Sequence, residues 1–199
     1  MASIHPGSAR PAPSDQGLAN HLAGPRLRLD AATSEDAVQV ALWHRDGVFL
    51  RHLDAEPASP TTADTLVDRW RAIRAAGGFP FAVRTLGAEP QLVGLVALDE
   101  VLWPQRGGWL AMEIDPHEWG QGYGREALSL LLRFAFDELN LRRLSLTVFS
   151  YNARAIRLYE GLGFQREGTF REFLVRDGQP YDMLLYGLLE REWRAGGHA

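Results

Sequence analysis

Trp119-Gly120-Gln121-Gly122-Tyr123-Gly124-Arg125-Glu126-Ala127 sets three glycines at alternate positions just before a long apolar-periodic run. Glycine lets a backbone approach a ligand closely and take turns that other residues resist. The first N–H groups of a helix have no partner inside it, and the positive end of the helix dipole lies behind them. A phosphate suits such an end, with Arg125 able to add a charge-assisted bond. The same glycines also suit a plain packing turn between strand and helix. Residues 122–127 formally match the dinucleotide pattern G-x-G-x-x-A. That pattern calls for an acid about 20 positions on, at the end of the next strand. The next strand here ends at Phe149-Ser150-Tyr151-Asn152, with no acid. A nucleoside-triphosphate loop needs a lysine, and the chain has none.

The elements that must hold this loop are readable from periodicity. Residues 26–29 alternate as a half-buried strand does, and Thr33-Ser34-Glu35-Asp36 offers a helix start with acids in its first turn. Leu66, Trp70 and Ile73 share one face of a helix over 62–75, which Gly77-Gly78 ends. Residues 79–85, 91–98 and 107–114 read as strands joined by short connections, hence an antiparallel meander. A long amphipathic helix follows over 122–138, with Arg125, Ser129, Arg133 and Asp137 on its wet stripe. Residues 144–149 alternate as a strand, and Asn152 can cap a helix over 153–160 stopped by Gly161 and Gly163. Strands over 169–175 and 181–188 then form a hairpin, with a five-residue loop at 176–180.

Composition bounds the rest. With 199 residues, 46% hydrophobic and 23% charged, the chain reads as one ordered domain with trimmings. Residues 1–25 are rich in Pro, Gly, Ala and Ser and read as a flexible arm; 194–199 read as a flexible tail, leaving 26–193 as the body. A net charge of −4 argues against nucleic acid or an anionic membrane as partner. No run of 18 apolar residues occurs; the greasiest stretch, 128–136, is interrupted by Arg133. The absence of cysteine removes disulfides, thiolate zinc sites and any acyl-cysteine, and suits the cytoplasm. His44, His52 and His117 lack metal-ligand spacing, so surface or capping roles are expected and no metal.

Two segments together resemble the GNAT acyltransferase superfamily. Gln121-Gly122-Tyr123-Gly124-Arg125-Glu126-Ala127 is similar to its pyrophosphate loop. Asn152-Ala153-Arg154-Ala155-Ile156-Arg157-Leu158-Tyr159-Glu160-Gly161-Leu162-Gly163-Phe164 is similar to its second signature, Asn-x-x-Ala-x-x-Leu-Tyr-Glu-x-x-Gly-Phe. The first motif alone is weak; the pair, about thirty residues apart in this order, is specific. The likeness covers most of 27–193 and looks most like the branch of ribosomal-protein N-terminal and small-amine acetyltransferases. The family's loop commonly begins with Gln or Arg where this chain has Trp119.

The resemblance implies a single α+β domain. Its mixed, mostly antiparallel sheet of about seven strands is flanked by helices, and one strand pair splays to admit the cofactor. It implies direct acetyl transfer from acetyl-CoA to a primary amine, either a protein N-terminus or a small molecule, by a monomer or homodimer. An acyl-CoA-binding sensor without catalysis is the alternative. Gly120, Gln121, Gly122, Tyr123, Gly124 and Arg125 would hold the diphosphate; Met112, Ile114, Asn152 and Ala155 would line the pantetheine arm. Tyr159 occupies the position of the acid that protonates the departing sulfur, and a phenol with pKa near 10 keeps its proton at neutral pH. Glu113 is the candidate base nearest the splay, with Asp99 and Glu100 ending the preceding strand and a water relay also open. Trp109 shares the face of Glu113, as pocket wall or core.

Overall fold

The computed structural model describes residues 20–197. β1 (Leu27–Ala31) leads into α1 (Ser34–Trp43), α2 (Gly47–Leu53) and α3 (Ala63–Ala75). The meander β2 (Phe79–Thr85), β3 (Leu92–Leu102) and β4 (Gly107–Ile114) follows, then α4 (Tyr123–Arg133), β5 (Arg143–Phe149) and α5 (Ala153–Gly161). The hairpin β6 (Gln165–Arg176) and β7 (Gln179–Leu189) and the short α6 (Glu190–Ala195) complete the order. The seven strands form one sheet in the order β1-β2-β3-β4-β5-β7-β6. Among the described residues, β4 and β5 are its only parallel neighbours.

Side-chain alternation explains the three layers. Ala82 and Val83 adjoin in β2 and therefore face opposite sides. Ala82 packs with Ala37, Val40, Trp43, Phe49, Leu66 and Trp70 of α1, α2 and α3. Val83 packs with Leu128, Leu131 and Tyr159 of α4 and α5. Thr33 makes the expected helix start: its side chain accepts from Asp36 N, while Asp36 accepts from the Thr33 N–H.

Several expectations need correction. The hairpin loop is two residues, because Asp177 (φ 52°) and Gly178 (φ 75°) both take the positive φ that the tightest hairpin turn demands. The helix over 122–138 widens after Arg133 into a π-helical turn, Phe134–Glu138. That turn seats Phe134 edge-on against Phe79 and Phe81, at 5.3 and 5.1 Å between centroids. Residues 1–19 of the expected arm lie outside the described residues. From Asn20 onward the chain is fastened: Leu29 N donates to Leu22 O at 2.7 Å, and Arg133 donates to Ala23 O at 2.8 Å. Arg194 and Ala195 of the expected tail belong to α6, whose Trp193 is buried, and Arg194 pairs with Asp137.

Glu126 staples β1 to the glycine loop. Its carboxylate accepts from Arg26 N at 2.7 Å, Leu27 N at 2.9 Å and Arg26 Nε at 2.8 Å. Hydrogen bonds to a charged group contribute about 1.5–3 kcal/mol, and two backbone donors lose their acceptor together. Glu126→Ala is expected to lower unfolding free energy by about 2–3 kcal/mol in urea titration. Glu126→Gln, which keeps one acceptor oxygen, recovers part of it.

Candidate functional site

The register of β4 against β5 makes the opening. The two pair only at Gly107–Arg143, Gly108–Leu144 and Trp109–Ser145. Beyond Trp109, β4 stays on β3 and β5 stays on β7, so their facing backbone groups have no strand between them. A cavity of about 1050 Å³ occupies this wedge. Met112, Glu113, Ile114, Gly120, Gly122, Tyr123, Gly124, Arg125, Asn152, Ala155 and Tyr159 all line it. Gln121 does not; its carbonyl accepts from Arg26 Nη1 at 3.0 Å.

The three glycines have different jobs. Gly120 (φ 86°) and Gly122 (φ 80°) take left-handed backbone, and Gly122 starts α4 with no side-chain cap. The first-turn N–H groups of α4 are therefore not spent on a side chain. Gly124 answers to packing instead, since a Cβ there would lie 3.3 Å from Leu158 Cδ2 and 3.7 Å from Met112 Cε. Arg125 Nη1 donates to Gly161 O at 2.9 Å and so ties α4 to the end of α5.

Across the wedge, Asn152 caps α5 by accepting from Ala155 N at 3.2 Å. About two turns later Tyr159 reaches the cavity wall, 7% exposed, its ring edge-on to Phe164 at 5.9 Å. Burial disfavours the phenolate and pushes this phenol up to about 12.

The opposite wall comes from β4 and from α2, which the sequence reading did not foresee. Phe49, His52 and Leu53 of α2 line the cavity. The available signal was Asp46, whose side chain accepts from Val48 N and Phe49 N. Burial, followed by the charge of Arg154, holds the His52 imidazole below its usual range. Trp119 at the head of the loop is held in place: its Nε1 donates to Ile114 O at 2.9 Å, and Arg154 stacks 3.3 Å from its ring centroid. Trp109 and Asp99 also line the cavity, and burial raises the Asp99 carboxyl.

Glu113 Oε2 lies 2.9 Å from His44 Nε2. His44 does occupy the C-cap of α1, but its ring is 2% exposed rather than at the surface. No group of three His, Cys, Asp or Glu comes together as metal ligands among the described residues, and no described helix is long and apolar enough to cross a membrane.

The profile of the family described as "Acetyltransferase (GNAT) domain" matches residues 26–165. The chain belongs to the GNAT acetyltransferase family. YdaF of Bacillus subtilis, provisionally named a ribosomal N-acetyltransferase, is 29% identical over 151 residues, 75% of this GNAT chain and 80% of that protein. The spermidine N(1)-acetyltransferase of Vibrio cholerae is 31% identical over 106 residues, covering 53% and 61% of the two chains. The match to YoaA of Bacillus subtilis, named an uncharacterized N-acetyltransferase, is 30% identical over 100 residues, half of this chain. It spans 56% of YoaA, and the chain spans about half the length of the first curated relatives it matches. A crystal structure of spermidine N-acetyltransferase from Vibrio cholerae with CoA and spermine superposes at a TM-score of 0.76 and 25% identity, covering 86% of this GNAT chain and 99% of that one.

Proposed function

We propose that this GNAT domain transfers the acetyl group of acetyl-CoA to a primary amine in a ternary complex. One observation carries the reading: the β4–β5 pairing stops at Trp109 and Ser145, and the wedge so opened is lined by both the uncapped start of α4 and Tyr159. The residues present fit the cosubstrate. The α4 amides with Gly120 and Gly122 take the diphosphate. The β4 edge at Met112 and Ile114, where Trp119 already takes the Ile114 carbonyl, pairs with the pantetheine amides as an added strand would, with Asn152 and Ala155 across from it.

Glu113 accepts a proton from the acceptor's ammonium group, directly or through water, and so frees the nitrogen lone pair. The nitrogen bonds to the thioester carbon, the C–S bond breaks, and the sulfur leaves with a proton from Tyr159. The amide nitrogen's surplus proton restores the phenol, and the proton on Glu113 departs to solvent. The absence of cysteine agrees with direct transfer, since no acyl-cysteine can form.

The acceptor is a protein N-terminus or a small-molecule amine, a range supported by YdaF on one side and the spermidine enzyme on the other. The enzyme works in the cytoplasm as a monomer or homodimer. Incubation with acetyl-CoA and a panel of polyamines, amino acids and peptide N-termini, read by mass spectrometry, is expected to give one acetylated amine class and free CoA in equal amounts. Tight CoA binding with no amine acetylated would overturn the enzymatic reading in favour of a sensor.

A further inference from the structure

The His44–Glu113 pair joins two layers of the fold, and its chemistry is one-sided. His44 closes α1 on one face of the sheet, 2% exposed; Glu113 belongs to β4 and lines the cavity. Among the described residues, the imidazole's only hydrogen bond is the 2.9 Å contact from Nε2 to Glu113 Oε2. Nδ1 is buried without a hydrogen-bond partner among the described residues, and the ring lies edge-on to Phe49 at 5.8 Å. The tautomer that suits both nitrogens places the hydrogen on Nε2, donating to the carboxylate, and leaves Nδ1 without a hydrogen.

A histidine kept only to fill space is a poor choice at this spot. An orphaned buried polar atom carries an uncompensated desolvation cost, and an aromatic or aliphatic side chain fills the same volume without it. Buried groups left unsatisfied call for a reason beyond packing. Here the reason lies at the other end of the hydrogen bond. Glu113 Oε1 has no partner among the described residues, so the carboxylate is gripped by one oxygen and open at the other. An arginine in place of His44 would also grip the carboxylate, but its fixed charge would weaken the base. An imidazole N–H donor orients the group without a fixed cationic side chain.

We infer that His44 is a positioning residue for proton removal from the acceptor amine: it fixes Glu113 Oε2 from the α1 layer and so aims Oε1 into the cavity. The inference rests on the acetyl-transfer reading and on Glu113 as its base. His44 itself gains and loses no proton in the cycle; the ammonium proton goes to Oε1 and then to solvent.

The test uses the full chain with whichever amine the panel identifies. His44→Phe keeps the ring's bulk and removes the donor; kcat is expected to fall about 10–30-fold, a misaimed base rather than an absent one. KM and calorimetric Kd for acetyl-CoA stay within about twofold, because the α4 loop is untouched. His44→Gln restores an N–H donor and is expected to recover kcat to within about threefold of the parent. In a Glu113→Gln background, His44→Phe should lower kcat by less than about twofold more, since two residues acting through one carboxylate are not additive. If His44→Phe does not fold, as judged by thermal melting, His44→Asn replaces it, its shorter amide falling short of Glu113.

The inference is overturned by an unchanged kcat in His44→Phe or His44→Asn, by a parallel loss of kcat and acetyl-CoA affinity, or by an undiminished effect of the substitution beside Glu113→Gln. Full activity in Glu113→Gln overturns it too, while acetyl transfer stands. A parent protein that acetylates no amine removes both readings at once.

Discussion

Tyr159→Phe is expected to lower kcat by about 10²–10³-fold while the KM and Kd of acetyl-CoA stay within about twofold. The substitution removes one oxygen from a side chain that is already 7% exposed and leaves the ring against Phe164. What disappears is the proton for the departing sulfur, an interaction made as the C–S bond breaks, and losses of that kind appear in kcat. Burial raises this phenol to about 12, so the neutral acid is the form present at every pH where the protein is ordinarily assayed. The sign follows directly. Rising pH does not deprotonate Tyr159 until near its raised value, so the rate profile has no alkaline fall from this group below about pH 11. The other ring hydroxyls near the site make poor substitutes. Tyr151 donates to the Arg51 carbonyl, and Tyr186 donates to Glu160 at 2.8 Å. Tyr123 lines the cavity at the loop end, with Arg26 over its ring. Equal losses in kcat and acetyl-CoA affinity for Tyr159→Phe would remove it from the acid role.

What the sequence disclosed and what it hid divide along physical lines. Local signals carried far: the glycines of 120–124, the Asn152 cap and the Leu158-Tyr159 pair are short-range patterns, and each occupies the expected element. The meander was legible because short connections leave β2, β3 and β4 no choice but antiparallel pairing. α2 escaped because seven residues give barely two turns of periodicity, and α6 because six give fewer. The two-residue hairpin turn escaped because Pro180 reads as loop, although as the residue opposite Val175 it sits at the very start of β7. Contacts far apart in the chain were beyond reach in principle. His44 meets Glu113 across 69 positions and Arg26 meets Glu126 across 100, and no periodicity encodes which layer a helix end will touch. The same limit hid His52, placed beside Trp119 and Tyr151 only by the docking of α2.

Gly122→Val is expected to raise the CoA Kd by at least about 100-fold, equivalent to roughly 3 kcal/mol of binding free energy. Two effects act at one atom. Gly122 has φ 80°, and a β-branched residue there costs about 1–2 kcal/mol or pulls the start of α4 out of register. The new side chain also rises where a diphosphate must come within hydrogen-bond distance of the first-turn amides, its Cβ already 3.4 Å from Arg26 Nη2. Strain by itself would lower stability without touching the ligand, so the comparison has to separate the two. Gly178 has φ 75° with nothing within 4 Å of a built Cβ, far along the chain in the β6–β7 turn. Gly178→Val therefore carries the backbone cost alone and should lower the melting temperature while leaving the Kd unchanged. Gly124→Ala makes the complementary comparison. Its Cβ presses on Leu158 at 3.3 Å, so it should loosen α4 against α5 and affect melting more than affinity. Calorimetric titration of CoA into the three variants, beside their melting curves, decides the matter. An affinity for CoA in Gly122→Val equal to that of the parent would mean the diphosphate is held elsewhere, and the wedge between β4 and β5 would need another ligand to explain it.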